Sequence, residues 1–208
     1  MTENGFEYVD LGLPSNTMWA AWNVGATKPE SEGLLFQFGR VDGYRYGWRY
    51  DEENRSFRTH KQNDQDTGSR YIPTTTSGKV YEEDDILDLE DDTAHVHMGG
   101  KWKMPTKNQL DELFNNTTRE VETLNDVKGV LFKSKINGRQ LFIPFDGYWT
   151  NGDFYDRGSY ACVWSSQVHT SNINYGYALF CGPYRCNNYI DNYYRYSAFS
   201  VRGVFNGV

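Results

Sequence analysis

Between Val168 and Val208 the chain has no lysine, glutamate, glutamine, methionine or tryptophan. Residues 1–167 hold 9 Lys, 12 Glu, 6 Gln, 4 Met and 6 Trp. At that frequency the 41 residues that follow should hold roughly nine of these types, and their absence by chance is on the order of one in ten thousand. The five missing types share one genetic property. When either adenine of an asparagine codon, AAC or AAT, is replaced by any base, none of the five can be reached.

Other scarcities exclude whole classes of function. Three cysteines, Cys162, Cys181 and Cys186, are too few for a disulfide scaffold. Cys162, in YACVWSS, reads as a small buried hydrophobe. Cys181 and Cys186 either pair or are two more products of whatever shaped the C-terminal segment. No apolar run approaches membrane-spanning length, so no membrane insertion is expected. The opening MTENGFEYVD has neither a charged n-region nor an apolar h-region, and no signal peptide is read in it. Net charge is −7 and the basic residues do not cluster, which argues against nucleic acid, whose backbone calls for a Lys/Arg stripe. No nucleophile–base pair, carboxylate dyad or phosphate loop stands at a diagnostic spacing. The expectation is a protein that is not an enzyme and carries no cofactor.

What fills the depleted segment is tyrosine and asparagine. From Val168 to Ala198 there are seven tyrosines (175, 177, 184, 189, 193, 194, 196) and five asparagines (172, 174, 187, 188, 192). Tyrosine offers a large rigid contact area with two torsions to freeze, and asparagine an adaptable donor and acceptor; recognition surfaces favour both. A buried hairpin end explains the tyrosines poorly, because each buried phenol needs a partner.

In chain order, Phe6, Tyr8 and Val9 alternate as a strand, a Gly/Pro/Ser-Asn turn follows, and Met18–Trp22 forms a second strand. Leu34–Phe38 reads as a buried strand or helix end. Residues 41–80 are polar and irregular and read as an insertion on the same domain, because Tyr46, Trp48, Tyr50 and Phe57 need something to pack on. The carboxylates Glu82, Glu83, Asp84, Asp85, Asp88 and Glu90 lack EF-hand spacing. With Asp91 and Asp92 they read as a solvated helix start, running into a short turn that ends at Gly99-Gly100. His95 and His97 would point the same way on a strand, but without a third ligand they make no zinc site; no metal is expected. KWKMPTKNQLDELFNNT is the clearest helix, with Thr106 as N-cap, Gln109 as capping-box partner and Leu110, Leu113 and Phe114 as its apolar face. GVLFKSKINGRQLFIPF is a hairpin in which Val130/Phe132 and Leu141/Ile143 alternate around Asn137-Gly138. Asn151-Gly152 turns toward the strand Tyr160–Ser166, and Phe199–Val204 alternates as a terminal strand. Short antiparallel strands, one or two helices and long irregular loops make the chain α+β.

Four landmarks stand in order, EYVDLGLPSNTMWAAWNVGATKPE, GGKWKMPTKNQLDEL, YACVWSS and FSVRGV. Together they resemble the Fibrobacter succinogenes major paralogous domain family, related to C-type-lectin-like and formylglycine-generating-enzyme-like folds. The match spans nearly all of residues 1–208 as one domain, the polar insertion at about 41–80 excepted. The region between WSS and SVR looks like the variable region of a diversity-generating retroelement target protein, in which adenine-directed copying rewrites asparagine codons. The resemblance implies a ligand-binding module of phage-tail or bacterial-surface type, extracellular, on a cell surface or on a virion, taking a variable protein or glycan ligand. The alternative is an adhesin module of the same fold that is not diversified. Carried over residue by residue, the variable ligand-binding positions within 168–198 are Asn172, Asn174, Tyr175, Tyr177, Phe180, Tyr184, Arg185, Asn187, Asn188, Tyr189, Asp191, Asn192, Tyr193, Tyr194, Tyr196 and Ser197. Trp164, Ser165, Ser166, Phe199, Val201 and Arg202 match the scaffold landmarks. The Glu-Pro-Asn, Gln-Pro-Asp and Trp-Asn-Asp triplets of calcium-dependent lectins are missing, and Cys181 and Cys186 lack the flanks of a formylglycine-generating site. Tyrosine rings packed inward against the Trp164 strand, with no shared exposed face, would sink this reading.

Overall fold

The computed structural model describes residues 1–43, 50–51, 56–57, 75–151, 153–183 and 190–207. The first strands are β1 (Thr2–Glu3), β2 (Phe6–Asp10), β3 (Thr17–Ala20), β4 (Leu35–Gln37), β5 (Tyr50–Asp51) and β6 (Ser56–Phe57). Two helices follow among the described residues, α1 (Thr93–Met98) and α2 (Lys107–Asn115). After them come β7 (Thr117–Leu124), β8 (Val127–Ser134), β9 (Gln140–Pro144), β10 (Tyr148–Thr150) and β11 (Asp153–Tyr155). The chain ends with β12 (Ala161–Val168), β13 (Tyr175–Cys181), β14 (Ile190–Tyr194), β15 (Ala198–Ser200) and β16 (Val204–Asn206). Mostly strand with two short helices, the chain is α+β in the general sense.

The central sheet runs β11-β10-β15-β12-β13-β14, with β4 paired to β15. Its pairs are antiparallel except β12 with β15, which are parallel at Val163↔Ser200. β12 shows why this sheet is the centre. It is buried along nearly its whole length, and successive side chains enter different cores, as the two-residue period of a strand requires. Cys162, Trp164 and Val168 join one cluster with α1 residues Ala94 and Met98. Ala161 and Val163 join another with Leu110, Leu113 and Phe114 of α2 and Val130, Phe132, Leu141 and Ile143 of the β7-β8-β9 sheet.

The helix α2 forms as its caps dictate. Thr106 accepts from the Gln109 backbone N–H and the Gln109 side chain bonds back, closing the capping box. The hairpin register is Val130↔Ile143 and Phe132↔Leu141. Three expectations change. The helix start read at Asp91-Asp92 is α1, capped by the Asp92 carboxylate on the His95 N–H and ended at Gly99, but both aspartates are buried, not solvated; His95 and His97, on a helix and not a strand, bond separate carbonyls, of Trp102 and Val41. The terminal strand is two strands in two sheets, β15 beside β12 and β16 beside β3. β7 was not anticipated; it pairs with β8 over eight residues through a turn at Asn125 and Asp126. The packing expected of Tyr46, Trp48, Tyr50 and Phe57 lies outside the described residues, apart from the backbone pairing of β5 with β6.

A buried polar network joins three distant stretches. Arg202 donates from Nε to Asn23 Oδ1 (2.8 Å), from Nη1 to the Ala20 carbonyl (3.0 Å) and from Nη2 to the Phe142 carbonyl (3.1 Å). Asp146 Oδ2 accepts from Asn23 Nδ2 (2.9 Å) and Ser200 Oγ (3.1 Å). Burial draws the Arg202 pKa down to about 9, and burial pushes the Asp146 carboxyl up to about 7 against the bonds from Ser200 and Asn23. Asn23 bridges the two ionisable groups. A guanidinium in such a site keeps its charge, since it binds its proton too tightly to give it up in a protein.

Candidate functional site

The strands β13 and β14 carry most of the described candidate positions, and their register sorts them. Tyr175 pairs with Tyr194, Tyr177 with Asn192 and Leu179 with Ile190, so these six share one face. Gly176 with Tyr193 and Ala178 with Asp191 take the other. On the first face, Leu179 and Ile190 are packed with the α2 core, while the far end of the pair extends beyond the start of that helix.

That far end is a strip of rings. Tyr175 and Tyr194 lie 4.6 Å apart between centroids, and Tyr194 stacks on Tyr196 at 5.2 Å. His169 stands 6.4 Å from Tyr175 and 4.9 Å from Tyr177. Tyr175, Tyr194, Tyr196 and His169 are half-buried and Asn192 is exposed. His169 Nδ1 accepts the Ser171 backbone N–H at 3.2 Å, which places the ring proton on Nε2. Nε2 lies 3.3 Å from the side-chain amide nitrogen of Asn192. Lys107 sits at one end with its Nζ 5.6 Å from the Tyr177 ring centre, and its charge is met by Asp111 at 2.7 Å.

Beneath the strip the backbone is pinned. Asn172 Oδ1 accepts from the Asn174 backbone and side chain, closing the turn before β13. Arg195 is buried; its N–H reaches the Asn174 carbonyl (3.0 Å), its carbonyl takes the Phe38 N–H (3.1 Å), and Nη1 donates to the Ile173 carbonyl (3.1 Å). Its Nε has no hydrogen-bond partner among the described residues, and burial lowers its pKa to about 10. Gln37 holds the Tyr196 carbonyl at 2.8 Å. Gly176 is needed for space, because a Cβ there would lie 2.5 Å from the Phe38 ring.

The candidate positions therefore divide. Tyr175, Asn192, Tyr194 and Tyr196 come together on the strip, with Asn172 and Asn174 in the turn behind it. Asp191 is exposed on the opposite side of β14, where its carboxylate accepts the Asn192 N–H at 2.8 Å. β14 ends the sheet, and that bond occupies an edge donor that would otherwise invite strand addition. Tyr177, Phe180 and Ser197 are buried. Tyr193 stacks on Phe180 at 5.3 Å and stands 4.9 Å from Phe199. Its ring stands 5.4 Å from that of Tyr148, and burial raises both phenol pKa values. Tyr184, Arg185, Asn187, Asn188 and Tyr189 lie outside the described residues, as does Cys186. Cys181 is disulfide-bonded, whereas Cys162 is a buried free thiol whose pKa burial pushes well up.

Sequence reasoning missed His169 and Gln167, which complete the strip from β12 and its continuation. Their signal was the strand period carried past WSS, which puts Gln167 beside Tyr177. Among the described residues no cluster of three His, Cys, Asp or Glu side chains is placed to hold a metal, and no helix is long and apolar enough to cross a membrane.

No family model, curated protein or solved structure matches the chain.

Proposed function

We propose that the protein is a recognition module, a C-type-lectin-like domain of the Fibrobacter succinogenes major paralogous type, whose strip of Tyr175, Tyr194, Tyr196 and Asn192 binds a macromolecular ligand. The variable surface is rewritten by a diversity-generating retroelement, and the module sits on a phage tail or a bacterial surface. One observation carries this reading: three tyrosines from the segment with the restricted alphabet share one partly open face on a pinned backbone. Rings held in place lose little entropy on binding, and tyrosine is among the residues that dominate interface hot spots. Buried Tyr177, Phe180, Arg195 and Ser197 belong to the support, not to the contact surface.

The test is genomic and biochemical. A near-copy of the 3′ coding segment, differing from it at adenines and lying near a reverse transcriptase gene, is the expected neighbour; its absence removes the diversification half of the proposal. Replacing Tyr175 and Tyr194 with Ala should abolish capture of a ligand selected from a displayed peptide library. Undiminished capture would remove the other half.

A further inference from the structure

We infer that the strip takes a protein surface rich in arginine and lysine, an assignment that rests on the recognition reading and names the chemistry of the partner. The strip does not end at β12. Ile86 bridges Gln167 in antiparallel register, the Leu87 N–H donates to the Ser166 carbonyl and the Val168 N–H to the Asp85 carbonyl, both at 2.8 Å. The loop 84–87 thus lies beside the end of β12 as an extra strand. The bridge sets Ile86 beside Gln167, β13 and β14 set Tyr177 beside Asn192, and the row beyond holds His169, Tyr175 and Tyr194.

This added rim is acidic and partly apolar. Glu82, Glu83, Asp84, Asp88 and Glu90 are exposed, and so are Ile86 and Leu89. Between residues 75 and 92 the sequence has one basic residue, Lys79, and it is taken by Asp88 at 2.6 Å. Asp84 accepts from the Gln167 amide and Asp85 from the Glu82 N–H, both neutral donors that leave the charge in place. Glu82, Glu83 and Glu90 meet no cation among the described residues. Among the described residues the one cation on the strip, Lys107, is neutralised by Asp111. A face of tyrosine rings beside uncompensated carboxylates complements guanidinium and ammonium groups, which bind ring faces by cation–π attraction and carboxylates by charge. It repels phosphate, and a neutral glycan can meet its carboxylates only by donating hydroxyl hydrogen bonds, which leaves their charge uncompensated.

The test uses the full chain and a fluorescent peptide alternating arginine and glycine, with its glutamate counterpart and a panel of neutral oligosaccharides alongside. Saturable binding of the arginine peptide alone is expected, weakening about tenfold or more as salt rises from roughly 50 to 300 mM. The triple variant E82Q/E83Q/E90Q should weaken it severalfold with an unchanged melting temperature, and Y175A/Y194A should weaken it as well. If an oligosaccharide binds in a tyrosine-dependent, salt-insensitive way and the peptide does not, this inference fails while the recognition reading survives. If the peptide binds equally well to Y175A/Y194A, the strip is not the site and both fall.

Discussion

Tyr193 and Tyr194 are neighbours in sequence with opposite fates, because a strand turns successive side chains to opposite faces. Tyr193 enters the cluster of Phe180, Phe199 and Tyr148, so Tyr193→Ala should cost about 2–3 kcal/mol through lost packing and a cavity. Tyr194→Ala, on the half-open strip, should cost less than about 1 kcal/mol. Urea unfolding of the two variants checks the pair, and equal losses would mean the register is wrong. Asp146 belongs to the same scale. Its folded pKa of about 7 stands above the ordinary 3.8, so the folded chain holds this proton more tightly than the unfolded chain does. The resulting stabilisation is complete below about pH 4 and is lost as pH rises through about 7. Melting temperature measured from pH 4.5 to 8 (roughly the window that linkage defines) should decline, and Asp146→Asn should flatten that slope. A wild-type profile already flat there would show that Arg202 holds the carboxylate ionised throughout.

At the level of elements, what could be read from the sequence was local. Thr106 and Gln109 announce α2 because both capping partners lie within one turn, and Asn137-Gly138 announces the β8–β9 register because the turn itself sets it. β7 escaped because TTREVETL has only Val121 and Leu124 as large apolar residues, both exposed, and its pairing depends on β8. Its one local signal was Asn125-Asp126, two residues at positive φ (46° and 65°) that suit a two-residue hairpin turn. Asp126→Gly should therefore stabilise by about 0.5 kcal/mol by relieving the left-handed conformation, read as a rise in melting temperature; a fall would show that the Asp126 side chain holds the turn. For α1 the helix start was legible at Asp91-Asp92, but the burial of both carboxylates was not. Its cap, Asp92, also takes the Met104 N–H at 2.9 Å, a long-range bond that no window of sequence displays.

Across the whole molecule, the first and last of the ordered landmarks meet in one place. Ala20 and Asn23 from the first, and Ser200 and Arg202 from the last, converge on Asp146 and the Phe142 carbonyl, while Trp164 of the YACVWSS landmark donates to the Phe36 carbonyl at 2.8 Å and stacks on Phe199 at 4.4 Å. The spacing of these motifs was legible, but the network that ties them was not, since its members stand up to 182 residues apart. The strip hangs from this frame through backbone bonds to Asn174, Ile173 and Phe38, so its outward side chains contribute little to folding. Replacing Tyr175, Asn192, Tyr194 and Tyr196 together with serine should leave cooperative unfolding intact and shift the melting temperature by only a few degrees, because these half-open rings pack on one another and the backbone bonds beneath them remain. Replacing Tyr177, Phe180, Arg195 and Ser197 together with alanine should prevent folding, because it opens cavities and removes the guanidinium that holds the turn before β13. Circular dichroism melts of the two quadruple variants decide it: if the serine variant unfolds as readily as the alanine variant, the outward residues hold the frame and cannot be free to vary.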